Sequence, residues 1–108
     1  MMVTRNLLLR ARLEDIVSSN GLILFMKGTS AFPLCGLSAH VCFWLKKRSL
    51  QFQCVDVLKD PELHLFLREM HAPSSIPYLY MNGKFIGGYD EIKGMFESRG
   101  YLKASINQ

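Results

Sequence analysis

Tyr78-Leu79-Tyr80-Met81-Asn82-Gly83-Lys84-Phe85-Ile86 reads as two short strands around a two-residue turn. Asn-Gly suits that turn because both central residues need a positive φ. An antiparallel hairpin is therefore expected over Tyr78–Met81 and Lys84–Ile86. Beyond it, Gly87-Gly88 breaks the second strand. Asp90 is expected to cap a last helix carrying Ile92, Met95 and Phe96, with Gly100 near its end. The tail from Tyr101 to Gln108 would add a further helical turn.

Working back from the hairpin, Asp60-Pro61-Glu62 is a helix start: an acidic N-cap, proline in the first turn, then another acid. Leu63, Phe66, Leu67 and Met70 continue it at helical spacing. Phe52, Cys54, Val55 and Val57 suit a strand. Cys35 to Arg48 reads as a helix with Leu37, Val41, Trp44 and Leu45 inward, and Lys46-Lys47-Arg48 complements its C-terminal dipole. Leu22 to Met26 is wholly apolar between Gly21 and Gly28, as expected of a strand covered on both faces. Thr4 to Ser19 carries Leu9, Leu13, Ile16 and Val17 at helical spacing, and Asn20-Gly21 stops it.

The order is helix, strand, helix, strand, helix, hairpin, helix. A right-handed βαβ crossover makes the first two strands parallel, and the hairpin adds an antiparallel pair. The expected fold class is α/β: a four-stranded mixed sheet with helices on both faces.

Size and composition agree with one domain spanning residues 1–108. The chain has 108 residues, 49% of them hydrophobic and 20% charged. It is long enough to bury roughly two-thirds of its unfolded surface without disulfides or metal. No apolar run approaches the roughly 20 residues that span a bilayer, so no membrane partner is expected. The net charge of +4 is mild and unclustered, which argues against nucleic acid. Arg5, Arg10 and Arg12 precede the first acid, Glu14, so residues 1–13 read either as a targeting remnant or as part of the first surface helix, with the helix preferred.

The three cysteines, Cys35, Cys42 and Cys54, are an odd number without close pairs, which fits a reducing intracellular compartment better than a disulfide framework. Cys35 stands apart. It follows a proline-containing loop and opens a helix, where backbone N–H groups stabilise a thiolate. Lys27, at the exit of the preceding strand, adds positive charge. Cys42 and Cys54 read as core thiols, and His40, His64 and His71 as surface or boundary residues. For Ile76-Pro77 the sequence alone favours a trans bond, since only about 5–6% of X–Pro bonds are cis. Gly87-Gly88-Tyr89-Asp90 is either a plain strand-to-helix turn or a docking point for a small anionic ligand at a helix N-terminus.

Taken in order, Met26-Lys27-Gly28, Pro33-Leu34-Cys35-Gly36-Leu37-Ser38, Asp60-Pro61-Glu62-Leu63, Ile76-Pro77 and Asn82 through Asp90 resemble the monothiol glutaredoxins, from about the first helix to Leu102. The resemblance implies a thioredoxin-like fold. It implies glutathione as ligand and a [2Fe–2S] cluster held between two protomers, each giving one cysteine thiolate, with two glutathiones giving the others. Cys35 would be nucleophile and cluster ligand. Lys27 would face the glycine carboxylate of glutathione. Ile76, before a cis Pro77, would pair its backbone with the tripeptide. Gly88, Tyr89 and Asp90 would receive the γ-glutamyl end, Asp90 facing its ammonium.

Several positions depart from the family pattern: Leu37 for phenylalanine, His64 for an arginine, Pro73-Ser74 for Trp-Pro, Ser75 for threonine and Tyr89 for cysteine. The implied function is iron–sulfur cluster assembly or transfer, with a homodimer when cluster-bound, iron–sulfur recipient proteins as partners, and the cytoplasm or mitochondrial matrix as location. The alternative is a weak glutathione-dependent oxidoreductase, because Ser38 replaces the second cysteine of a dithiol site and leaves no internal resolving thiol. A non-catalytic binding module with a degenerate ligand site is a third reading, disfavoured because Lys27, Cys35, Pro77 and Asp90 are present together.

Overall fold

Leu22–Met26 forms β1, an inner strand of a four-stranded sheet, and all five residues are buried. In the computed structural model, which describes residues 2–18 and 21–98, the strand order is β2 (Phe52–Asp56), β1, β3 (Tyr78–Met81) and β4 (Lys84–Gly87). β1 runs parallel to β2, with Leu24 opposite Cys54. It runs antiparallel to β3, with Leu24 opposite Leu79. β3 and β4 form the expected hairpin, and Asn82 (φ 52°) and Gly83 (φ 83°) both take the left-handed geometry that the turn requires.

Alternate β1 side chains feed two separate cores. Ile23 and Phe25 pack with Leu9, Leu13 and Val17 of α1 (Met2–Val17) and with Leu63, Phe66 and Leu67 of α3 (Pro61–His71). Leu22, Leu24 and Met26 pack on the other face with Val41, Cys42 and Leu45 of α2 (Gly36–Lys47) and Ile92 and Phe96 of α4 (Tyr89–Glu97). The mixed sheet with helices on both faces is therefore the architecture expected. Leu24 is fully buried, and its truncation to alanine would cost about 2–5 kcal/mol. No helix among the described residues is long and apolar enough to cross a membrane.

Helix α1 covers most of residues 1–13, packing against α3 with Arg5–Glu62 and Arg12–Asp60 ion pairs at its rim. It starts two residues before Thr4 and ends at Val17. Asp60 caps α3 as expected, its carboxylate accepting from the Leu63 amide at 3.2 Å. The helix expected from Cys35 to Arg48 has Cys35 and Arg48 as its caps.

Three expectations fail in detail. Leu37, expected on the inner face of α2, is exposed, because the first turn of the helix presents Ser38 to the interior instead. Val57 leaves the strand for a short 3₁₀ turn, Val57–Lys59, because the Asp56 carboxylate captures the Leu58 amide at 3.0 Å. Asp90 does not cap α4. Gly88 is the N-cap residue, and Glu91 reaches back to its amide at 2.8 Å. Asn20, Gly100 and the turn expected over 101–108 lie outside the described residues.

Candidate functional site

The loop after β1 brings Lys27 and Cys35 to one end of the sheet. Gly28 turns it with φ +87°, and its amide donates to Asp56 at 2.9 Å. The Leu34 amide returns to the Lys27 carbonyl at 2.9 Å, and Thr29 and Phe32 close the tip. A Cβ on Gly28 would lie 2.5 Å from the Phe32 carbonyl oxygen and 2.7 Å from the Leu34 nitrogen. Glycine is therefore required both by conformation and by space. From α2, Lys46 Nζ donates to the Ser30 carbonyl at 2.8 Å and holds the loop from the other side.

Cys35 sits at the N-cap of α2 in extended conformation and is partly exposed. Desolvation pushes its thiol pKa up. The amides of Ser38 and Leu37, the Ser38 hydroxyl and the Lys27 charge together outweigh that effect, so the pKa falls below the usual thiol value. The amides and the hydroxyl act on the sulfur as oriented dipoles and the Lys27 ammonium as a charge. Ser38 is 0% exposed, and its Oγ also accepts from the Lys27 amide at 3.3 Å. In the sequence Ser38 stands only as the replacement of a second thiol. Its place in the first turn after Cys35 is the signal that it faces the sulfur.

Beside Lys27 lies a cleft of 460 Å³ lined by His64 and Arg68 of α3, the segment from Ala72 to Ile76, and Tyr78. The Ile76–Pro77 bond is cis, against the frequency-based expectation and in line with the resemblance. The Ala72–Pro73 bond is cis as well, which the sequence reading did not foresee. None of the lining residues is acidic. A larger hollow of 590 Å³ runs past Lys46, Leu50 and Phe52, but neither Cys35 nor the cleft segment lines it.

The Gly88 turn is stitched to the same segment. The Tyr89 amide donates to the Ser75 carbonyl at 2.8 Å, and a Cβ on Gly88 would stand 2.4 Å from that oxygen. Glu91 accepts from the Ser74 hydroxyl at 2.6 Å and from the Gly88 amide, and these bonds hold its carboxyl below the usual range. Asp90 is exposed on the first turn of α4. The Tyr89 hydroxyl hydrogen-bonds His40 Nδ1 at 3.2 Å, and both rings lie against Trp44. Thus Lys27 and Ile76 share the cleft, and Gly88 and Tyr89 join it through Ser75. Cys35 and Asp90 are not among its lining residues.

Comparison with known proteins fits this arrangement. Residues 22–86 match the glutaredoxin family. An uncharacterized monothiol glutaredoxin of Synechocystis is 35% identical over 89 residues, covering 82% of this chain and 83% of that protein. The chain belongs to the monothiol glutaredoxin family. Mitochondrial monothiol glutaredoxin-5 of Saccharomyces cerevisiae is 40% identical to this glutaredoxin over 93 residues, which is 83% of the chain but 62% of the yeast protein. The solution structure of reduced apo GrxS14 from poplar superposes on the glutaredoxin with a TM-score of 0.74 at 35% identity, covering 92% of this chain and 90% of that one. The thioredoxin-like fold is thereby shown.

The other two thiols of the glutaredoxin are placed differently. Cys42 is buried with its sulfur 3.5 Å from Met26 Sδ, and burial pushes its pKa up. Cys54 is half-buried on β2, packed against the α2 core. Arg68, Ser38, His40 and Glu91 were missed as site residues. Two of them had a readable signal: Ser38 in the first turn after Cys35, and Arg68 one helical turn beyond His64 on the same face of α3.

Proposed function

We propose that this glutaredoxin binds glutathione and carries a [2Fe–2S] cluster as a glutathione-bridged homodimer, delivering it to iron–sulfur recipient proteins. The observation that supports this most is a thiol of lowered pKa, Cys35, near a basic cleft of 460 Å³, a size suited to a tripeptide. Lys27 meets the glycine carboxylate. Ile76, ahead of Pro77, pairs its backbone with the extended peptide, and Gly88, Tyr89 and Asp90 take the γ-glutamyl end.

The donor set fits a shared cluster. Iron–sulfur clusters favour thiolate ligands, and Cys35 is the thiol that is partly exposed and lowered in pKa. Among the described residues no group of three or more His, Cys, Asp or Glu side chains is assembled for a metal. The remaining ligands would come from glutathione and a second chain. Around Cys35, Phe32 (77% exposed), Leu34 (66%) and Leu37 (37%) offer an apolar rim that a partner would cover. A reducing compartment, cytoplasm or mitochondrial matrix, suits free thiols; the yeast relative is named as mitochondrial.

A second activity follows from the same thiolate. Cys35 attacks a glutathionylated protein at the glutathione sulfur, forming a Cys35–glutathione disulfide and releasing the protein thiolate. A second glutathione thiolate then releases Cys35 and leaves as oxidised glutathione. Ser38 supplies no internal resolving thiol, so resolution depends on that second glutathione, and activity is limited to deglutathionylation rather than reduction of protein disulfides by a dithiol route.

Anaerobic reconstitution with iron, sulfide and glutathione, followed by absorption spectroscopy and sizing, tests the carrier reading. A coloured dimer that requires glutathione and Cys35 is expected. A cluster held by monomer without any added thiol would overturn it.

A further inference from the structure

The basic cleft is more specialised than a general anion site. Lys27 enters it from the end of β1, and His64 and Arg68 enter from successive turns of α3. No acidic side chain balances them there. The nearby carboxylates are engaged elsewhere: Asp56 with the Gly28 and Leu58 amides, Asp60 with Arg12 and the Leu63 amide, Glu91 with Ser74 and Gly88. We propose that Arg68 is the main anchor for the C-terminal carboxylate of the tripeptide, and that His64 takes up a proton as that carboxylate docks. This rests on the glutathione reading of the site and adds a proton to its binding step.

The chemistry follows from the surroundings of His64. On its own helix it faces Arg68, from β1 it faces Lys27, and the 72–76 segment and Tyr78 bring no charge. Burial, then the charges of Lys27 and Arg68, push the His64 pKa below its ordinary value and so disfavour the protonated imidazole. A carboxylate entering between the two cations cancels their repulsion and offers His64 a counter-charge. Protonation then becomes favourable. Arginine is the residue whose planar fork pairs a carboxylate in two places, whereas Lys27 contributes a single ammonium. Binding that consumes a proton tightens as pH falls toward neutrality from above.

Calorimetry with S-methylglutathione tests this, because that probe keeps both carboxylates and has no thiol to titrate. Titrations at pH 6.5 in two buffers of different ionisation enthalpy give the protons taken up per ligand. The wild-type glutaredoxin is expected to take up a fraction of a proton, and His64→Gln to lose that uptake. Arg68→Gln is expected to weaken binding about tenfold or more. It should have no such effect on the glycine-carboxamide analogue of the probe. Equal proton uptake by wild type and His64→Gln, or an Arg68→Gln loss that persists with the carboxamide, would overturn the inference and leave glutathione binding standing. No binding of the probe by any variant would overturn both.

Discussion

Ser38→Ala separates the structural from the chemical role of a buried hydroxyl. Ser38 is fully buried, and its Oγ accepts from the Lys27 amide at 3.3 Å. That distance is at the long end for an N–H···O bond, so the cost of losing it lies near the low end of the usual range, about 1 kcal/mol. Alanine in a helix returns up to about 0.5 kcal/mol. The net loss is therefore about 0.5–1 kcal/mol, a drop in melting temperature of only a few degrees, about 2–8 °C, in a domain of this size. The larger consequence is chemical. The Ser38 hydroxyl is one of the groups that favour the Cys35 thiolate. The pH profile of Cys35 alkylation should therefore move to higher pH while the fold persists. An alkylation profile identical to wild type, in a variant with a melting curve within that window, would refute the assignment of Ser38 to the thiolate.

Three further outcomes follow. Gly28→Ala should lower stability by at least the 1–2 kcal/mol of a left-handed alanine, because its Cβ also meets the Phe32 carbonyl at 2.5 Å; Gly36→Ala, whose Cβ meets nothing within 4 Å, should melt normally, and equal melting points for the two would contradict this account of the loop. Cys42→Ser should cost about 1–3 kcal/mol by burying a hydroxyl beside Met26 yet leave Cys35 alkylation unchanged, and Cys54→Ser, half-buried, should cost less; thermal melts and alkylation rates of each variant decide it. His71, half-buried between the Phe85 ring at 3.6 Å and the Tyr80 hydroxyl at 2.6 Å, has its pKa lowered by desolvation. The unfolded chain then takes the proton first, so stability should be full above about pH 6.5 and decline as pH falls through the folded value; a denaturant midpoint series from pH 7.5 to 5.5 in which His71→Gln declines as steeply as wild type would exclude His71 as the source.

What could be read in the sequence was what its own neighbours determine. The Asn82-Gly83 turn, the Asp60-Pro61 helix start and the apolar run of β1 each carry their cause within a few residues, and each was placed correctly. The failures were decided at a distance. Asp90 and Glu91 are both acids at the start of α4, and the choice between them depends on Ser74, which comes from the segment before the hairpin and binds Glu91. Val57 has strand propensity, but the strand ends because Asp56 serves two amides, one of them at Gly28 on the neighbouring loop. His71, expected at the surface or boundary, is half-buried, but its partners Tyr80 and Phe85 sit on the hairpin strands across from its helix and could not be read from its neighbours. The candidate site divides the same way. Cys35 at a helix start was visible locally, whereas Arg68 counts only because the fold turns it toward Lys27.

Three thiols in a small chain raise the question of why one should react. Cys35 and Cys42 belong to the same helical segment and differ mainly in surroundings. At the N-cap, amides of the first turn and the Ser38 hydroxyl face the sulfur, and Lys27 adds charge; these outweigh desolvation and bring the pKa down. Further along α2 the backbone N–H groups are spent on helix bonds, and desolvation dominates at Cys42. Lys46 offsets it only in part, and Cys54 adds to it, so the pKa rises. Because the thiolate is the reactive and metal-binding form, opposite shifts at the two sites multiply into a preference for Cys35 at neutral pH, and burial of Cys42 adds steric exclusion to it. The preference for Cys35 is thus set by where each sulfur sits, Cys35 at the N-cap of α2, Cys42 buried further along it and Cys54 half-buried on β2, not by the number of cysteines in the chain.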